Sequence, residues 1–409
     1  MVAMGLKYSR FHLMEVFAVN QLLVFLLLVM VTVIALLVLI ACVAHRVIAV
    51  ARGKATPQQA VRLKKAAITF AVLIALDVAL VAISQVTAST PPIAGENSIA
   101  ELLRLELNGR KQWISVRGWD KSNPVLLFLA GGPGGTQLGA VRHELGELEK
   151  HFVVVNWDQP GSGKSYYADR IKNITAQTYI DDGRALTEYL RERFDQEKIY
   201  LIGESWGSAL GIFLIGEYPE LYHAFIGTGQ MVDFMETERM DYALARELAQ
   251  QRGNTALLKK LAANGEPPYY GKDVTWKSAV YLNYLSGYMA SHPAIHNPGY
   301  NTLRDIGSSE YGLLDKINFL RGIVNTFNHV YQQLYGIDLR KDYAKLDVPV
   351  YFFLGRYDVN APTILVEEYE QLLEAPAKDI VWFEHSGHNP WINERGKFVR
   401  EVIACFLED

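Results

Sequence analysis

The sequence predicts an α/β protein: a mostly parallel sheet with helices on both faces, an inserted helical lid, and two transmembrane helices in front. Three observations carry this expectation. From about residue 100, short apolar runs alternate with segments of helical spacing, the pattern of a sheet covered on both sides. The alternation breaks over residues 230–340, which are rich in Met, Tyr and charged helix formers, and then resumes. The first ninety residues hold two long apolar runs, and the excess hydrophobicity of the chain concentrates there.

The remaining composition sets limits. The 409 residues carry a net charge of −4, without the basic footprint of a nucleic-acid binder. Cys42 and Cys405 lie at opposite ends of the chain. They make no disulfide framework and no metal-ligand spacing; the serine chemistry read below needs neither metal nor organic cofactor.

Residues 1–89 form the membrane module. Val16 to Ala44 contains no charged residue, and Ala66 to Ala88 contains only Asp77. Each exceeds the roughly 20 apolar residues that span a bilayer. Between them, Arg46, Arg52, Lys54, Arg62, Lys64 and Lys65 occur without an acid, against Lys7 and Arg10 in the tail. Positive residues stay cytoplasmic, so residues 45–65 are expected inside and everything after residue 90 outside. This makes a two-span protein of the cell membrane with an extracytoplasmic catalytic domain. A carboxyl near mid-membrane usually faces protein or carries a proton. A helix-packing contact through Thr32, or a partner, suits Asp77.

Residues 90–99 read as a polar, proline-containing linker. The core covers 100–229 and 341–409, with the lid at 230–340. "ELLRLELNG" and "QWISVRGW" read as strands joined at Asn108-Gly109, a hairpin signal. "PVLLFLA", "FVVVNW", "KIYLIG", "AFIGTG", "VPVYFFLG" and "DIVWFE" read as buried strands. "TYIDDGRALTEYLRERF", "SWGSALGIFLIGEYP", a stretch from Thr363 to Glu374 and "INERGKFVREVIACFL" read as the covering helices. In the lid, "METERMDYALARELAQQ" and "YGLLDKINFLRGIVNTFNHVYQQLYG" have helical spacing.

The stretch "NWDQPGSGKSYY" contains GSGKS, the end of a phosphate-binding loop. The first glycine of that pattern would fall at Asp158, Pro160 removes a backbone donor, and no clear helix comes after it. No nucleotide is expected there. The chemistry lies instead in "IGESWGSA". Gly203-Glu204-Ser205-Trp206-Gly207 is a G-x-S-x-G motif between a strand and a helix, the context that thrusts a serine hydroxyl out of a sheet. A serine needs a base, and with this motif the order is Ser, acid, His. Asp358 follows one late strand and His388 the last. His385 is the rival base, and Asp347 is disfavoured because it precedes its strand. An oxyanion needs backbone donors: Gly132 is first by position in "LFLAGGPGG", Gly131 next, with Trp206 N–H as partner.

GGPG after one strand, DQPGSGKS after the next, GESWGS, then Asp358 and His388 together resemble the prolyl iminopeptidase branch of the α/β-hydrolase fold. The resemblance covers roughly residues 100–409. It implies a Ser205–His388–Asp358 serine peptidase, and it makes DQPGSGKS a loop that braces the active-site floor. It also implies lid carboxylates that hold a substrate amine, for which Glu236 and Glu238 in "METER" are the candidates. Glu204, beside the serine, joins them as a substrate-binding candidate. The chain departs from the family at Ala130 (usually His), Glu204 (often Gly) and Pro160 (Arg), which leaves strict N-terminal proline specificity open. Lid aromatics Tyr269, Tyr270, Trp276, Tyr281, Tyr284 and Tyr288 offer an apolar pocket lining. The function expected is a membrane-anchored aminopeptidase on short peptides. The alternatives are an esterase or amidase on small acyl substrates, and a ligand-sensing membrane protein with a hydrolase domain.

Overall fold

The computed structural model describes residues 2–297 and 299–408, with backbone alone over 2–20. Lys7, Arg10 and the first residues of the expected first span therefore lie outside the described side chains. The chain divides into two compact units. One holds the residues up to Ser89 together with Gly307–Lys316, and the other holds Thr90–Ile306 and Ile317–Asp409.

The first unit is built on two helices, α1 (Val2–Ala51) and α2 (Pro57–Thr87). Gln21–Ala51 and Pro57–Thr87 are each long and apolar enough to cross a membrane. Both helices run past the charge-free stretches, so the basic connection expected over 45–65 shrinks to residues 52–56. The reason is local. Thr56 caps α2 by accepting from Gln59 N–H, the Gln59 side chain returns a bond to Thr56 N–H, and Pro57 occupies the first helical position. Thr32 Oγ1 donates to Asp77 Oδ2 at 2.8 Å across the helix pair. The end of α2 holds the segment 307–316. Ser84 Oγ accepts from Leu313 N–H at 2.9 Å, and Gln85 binds both Leu314 N–H and Asp315.

The second unit is an eight-stranded sheet ordered β1-β2-β4-β3-β5-β6-β7-β8. The strands are β1 (Ile99–Leu107), β2 (Arg110–Gly118), β3 (Val125–Leu129), β4 (Val153–Asp158), β5 (Ile199–Glu204), β6 (Tyr222–Thr228), β7 (Val350–Gly355) and β8 (Lys378–Phe383). β1, β2 and β4 pair antiparallel, and all other neighbours are parallel. The β1–β2 turn needs two residues at positive φ, and Asn108 (48°) and Gly109 (77°) supply them. β3 is buried on both faces, as helices on either side require. Its side chains divide between two apolar cores, Leu127 and Leu129 on one face, Leu126 and Phe128 on the other.

Three further helices matter for the site: α3 (Leu138–Glu144) after β3, α4 (Ala176–Phe194), and α5 (Trp206–Glu217) directly after β5. The insertion between β6 and β7 is helical. It includes α6 (Phe234–Gln251), α7 (Thr255–Asn264) and α8 (Val274–Ala290). The stretch from Tyr311 does not form one long helix. It breaks into Leu313–Arg321, a wide π-type turn over Gly322–Thr326, and short turns beyond. Packing forces the break. A side chain at Gly322 would collide with the Gly134 carbonyl, and Thr326 Oγ1 donates to Gly161 O at 2.7 Å.

Candidate active site

The turn at Ser205 is strained for a side-chain-bearing residue: φ is 54° and ψ −120°. Its flanking glycines are demanded by close approach. A Cβ on Gly203 would strike the carbonyl of Gly207, and one on Gly207 would strike that of Leu129. The strained serine therefore sits at the end of β5 with α5 starting at the next residue.

His388 and Asp358 occupy the loops after β8 and β7. His388 Nδ1 lies 2.9 Å from Asp358 Oδ2; the Asp358 side chain is buried and that of His388 is mostly covered. The other Asp358 oxygen accepts from the N–H groups of Asn360 (2.9 Å) and Ala361 (3.0 Å), so the carboxylate is fixed from both sides. Ser205 and His388 line the same two cavities. His385 points elsewhere, its Nδ1 3.1 Å from Ala294 O and its ring stacked on His296. Burial lowers the affinity of His388 for a proton. The charge and hydrogen bond of Asp358, with the Glu204 charge, outweigh burial and raise its pKa to about 9.

The glycine loop and the DQ loop are tied together beneath the serine. Gln159 accepts from the Trp206 indole at 3.0 Å and donates to Ala130 O at 3.1 Å, linking the start of α5 to the loop after β3. Asp158 accepts from Lys164 N–H at 2.8 Å and from Thr136. Ser165 Oγ accepts from Trp113 N–H at 2.8 Å. The phosphate-loop look-alike is thus a brace, and the Lys164 ammonium lies over the Trp113 ring at 4.6 Å.

Gly131 and Gly132 both line the serine cavity. The Gly131 N–H, however, lies close enough to the Glu204 carboxylate to favour its charged form. Glu204 also accepts from Gln137 Nε2 at 2.9 Å and from the Tyr300 hydroxyl. Burial raises the pKa of Glu204, against the pull of His388 and these donors.

The lid carboxylates are placed unequally. Glu236 lies away from the serine, its side chain 45% exposed and paired with Arg340 at 2.6 Å. Glu238 is fully buried but saturated, accepting from Tyr281, from Tyr331 at 3.0 Å and from Ser278 at 3.3 Å. Neither lines the cavities that hold Ser205. Asp241 does. It is 1% exposed, neither carboxylate oxygen has a hydrogen-bond partner, and it shares a cavity of about 90 Å³ with Ser205 and His388. Burial, then the charges of Glu238 and Asp358, push its pKa well up. The sequence reading missed it, although helical spacing from the candidate Glu238 reaches it. Asp241 stands three residues after Glu238 on the face of α6 that buries Phe234, Tyr242 and Ala245. The pocket walls also differ from expectation: Phe234, Leu282, Phe327 and Tyr331 line this cavity, whereas Tyr270 and Trp276 are exposed.

A family profile describing the alpha/beta hydrolase fold matches residues 124–276. The protein named probable aminopeptidase YbaC of Bacillus subtilis is 33% identical over 314 residues, which cover 76% of this chain and 97% of that one. A proline iminopeptidase of Saccharolobus solfataricus is 27% identical over 298 residues, 70% of this chain and 86% of that one. Among solved structures, a proline iminopeptidase of Mycobacterium smegmatis has the same fold. Its TM-score is 0.54 at 19% identity, over 75% of this chain and 97% of that one. The chain belongs to the α/β-hydrolase fold family, with the aminopeptidases and proline iminopeptidases as its relatives.

Proposed function

We propose that the protein is a membrane-anchored serine aminopeptidase that removes a compact N-terminal residue from short peptides. Ser205 Oγ attacks the scissile carbonyl carbon while His388 takes the hydroxyl proton. Asp358 holds the imidazole from Nδ1 and stabilises its charge. The oxyanion is met by the N–H groups of Gly132 and Trp206, the Gly131 N–H lying toward the Glu204 charge. His388 returns the proton to the leaving amine. A water, deprotonated by the same histidine, then releases the acyl group and restores Ser205.

The observation that carries the peptide reading is Asp241. A buried carboxylate with two unpartnered oxygens beside the nucleophile is costly unless a ligand supplies donors. A substrate ammonium supplies three. The small cavity suits proline, alanine or another compact residue. Glu238, saturated by Tyr281, Tyr331 and Ser278, holds the lid around it.

The test is kcat/KM for a prolyl or alanyl amide and its N-acetyl twin. The free amine is expected to win by roughly ten- to a hundred-fold, the worth of one charge-assisted hydrogen bond. Asp241→Asn should collapse that preference. Equal values in the wild-type enzyme would replace the aminopeptidase with an esterase or amidase.

The anchoring is read from α1 and α2 and from the cations around residues 52–56. With that connection cytoplasmic, protease added to intact cells should cut the catalytic domain. Cleavage only after lysis would reverse the orientation.

A further inference from the structure

Ser205 and His388 also line a second cavity, of about 370 Å³, on which the amine reading makes no demand. Its walls are of two kinds. Ala140, Phe319 and Ile323 are apolar. Gln137 and Asp305 are polar, and each keeps a buried acceptor without a partner: Gln137 Oε1 and Asp305 Oδ2. The two residues are 8% and 4% exposed. Their remaining atoms are committed. Gln137 Nε2 donates to Glu204 and to Tyr300, and Asp305 Oδ1 accepts from Arg304 at 2.8 Å. Arg304 also spans to Glu144 at 2.6 Å, so the guanidinium is paired with two carboxylates, although its Nη2 is buried without a hydrogen bond.

A group that fills such a place needs an apolar stem and a head that donates without accepting. Lysine and arginine side chains are the natural ones with that chemistry. We propose that this cavity is the leaving-group subsite and that it selects peptides whose second residue is Lys or Arg, the stem lying along Ala140, Phe319 and Ile323 and the head donating to Asp305 and Gln137. The assignment rests on the aminopeptidase reading, in which the Asp241 cavity takes the N-terminal residue and leaves the larger one for the residue beyond the scissile bond. Its size falls within the range of ordinary ligand pockets, roughly 300–1,000 Å³.

The experiment uses the full-length protein in detergent. The first arm is kcat/KM for Ala-Lys-amide against Ala-norleucine-amide, which share a stem and differ in the ammonium. A preference for Lys of about ten-fold or more is expected, with the ratio falling toward one in Asp305→Asn. A ratio near one in the wild-type enzyme overturns the proposal. Because Asp305 is tied to Arg304, its variant risks losing the fold for reasons of its own, so a wild-type pair is added: Ala-Glu-amide should be poorer than Ala-Gln-amide, and parity counts against the subsite. The second arm separates this idea from the peptidase reading. Calorimetric binding of lysinamide against norleucinamide needs no turnover. Tighter lysinamide binding that Asp305→Asn removes and Asp241→Asn spares upholds the cation subsite even if no peptide is cleaved. Equal binding, or a preference lost only in Asp241→Asn, refutes it.

Discussion

Two carboxylates near Ser205 are held in opposite ways. Asp358, at the sheet edge, accepts two backbone N–H bonds and faces His388 Nδ1 at 2.9 Å. Asp241, in the lid helix α6, accepts nothing although it is as deeply buried. At the edge, strand ends and tight turns position groups through backbone hydrogen bonds, so every atom has a fixed partner before substrate arrives. In the lid, helix packing buries side chains and leaves a polar one to find its partner in a ligand. The first arrangement suits a machine that is the same for every substrate. The second suits recognition.

The largest test of this contrast removes the proposed nucleophile. Ser205→Ala should lower kcat by roughly 10⁶ and abolish labelling by a fluorophosphonate, while thermal unfolding stays cooperative because alanine keeps the Cβ and removes only the hydroxyl. Near-normal turnover would move the chemistry away from the β5 turn. The next effect in size is the amine preference of Asp241, roughly ten- to a hundred-fold. Glu236→Gln gives its control. Glu236 is spent on Arg340 near the surface, so its loss should leave the ratio of free to acetylated substrate unchanged.

The same contrast explains what the sequence can say. The β-strands, the serine turn, Asp358 and His388 are legible because each is set by a short local pattern: an apolar run, a glycine pair, the residue just past a strand. The brace role of DQPGSGKS is legible through family resemblance, and Gln159 and Asp158 supply its physical content. Asp241 does not stand out, since a carboxylate among helix formers looks the same whether it faces solvent or a cavity until the helix is rotated into place. The Gly322–Thr326 break is hidden for a like reason: the Gly134 and Gly161 carbonyls that cause it lie far away in sequence. Nor does any pattern announce that Ser84 and Gln85 hold residues 313–315.

A third test concerns pH. Burial pulls the His388 pKa down, but Asp358 and Glu204 lift it to about 9. A general base works unprotonated, so a raised pKa moves the acid limb of kcat/KM upward: activity should climb between about pH 7 and 9 rather than level off near 6.5. Glu204→Gln removes one of the two negative charges facing the imidazole and should shift that limb down, by about one unit. An unmoved limb would mean that the Glu204 charge does not reach the imidazole in the working enzyme.

The smallest effect is expected at Lys164, and it probes how the edge is built. If loops there act through their backbones, deleting a side chain from one of them should cost turnover little. Lys164→Ala keeps the N–H that donates to Asp158 and loses the ammonium 4.6 Å from the Trp113 ring centre. A cation–π contact at such a site contributes about 0.5–1 kcal/mol. Chemical denaturation should therefore show a loss of at least that order, with kcat/KM for peptide substrates unchanged and no specific ATP binding before or after. A strong fall in turnover would mean that the lysine side chain, and not the loop's backbone, supports the floor beneath Ser205, and the division between edge and lid would lose its sharpest line.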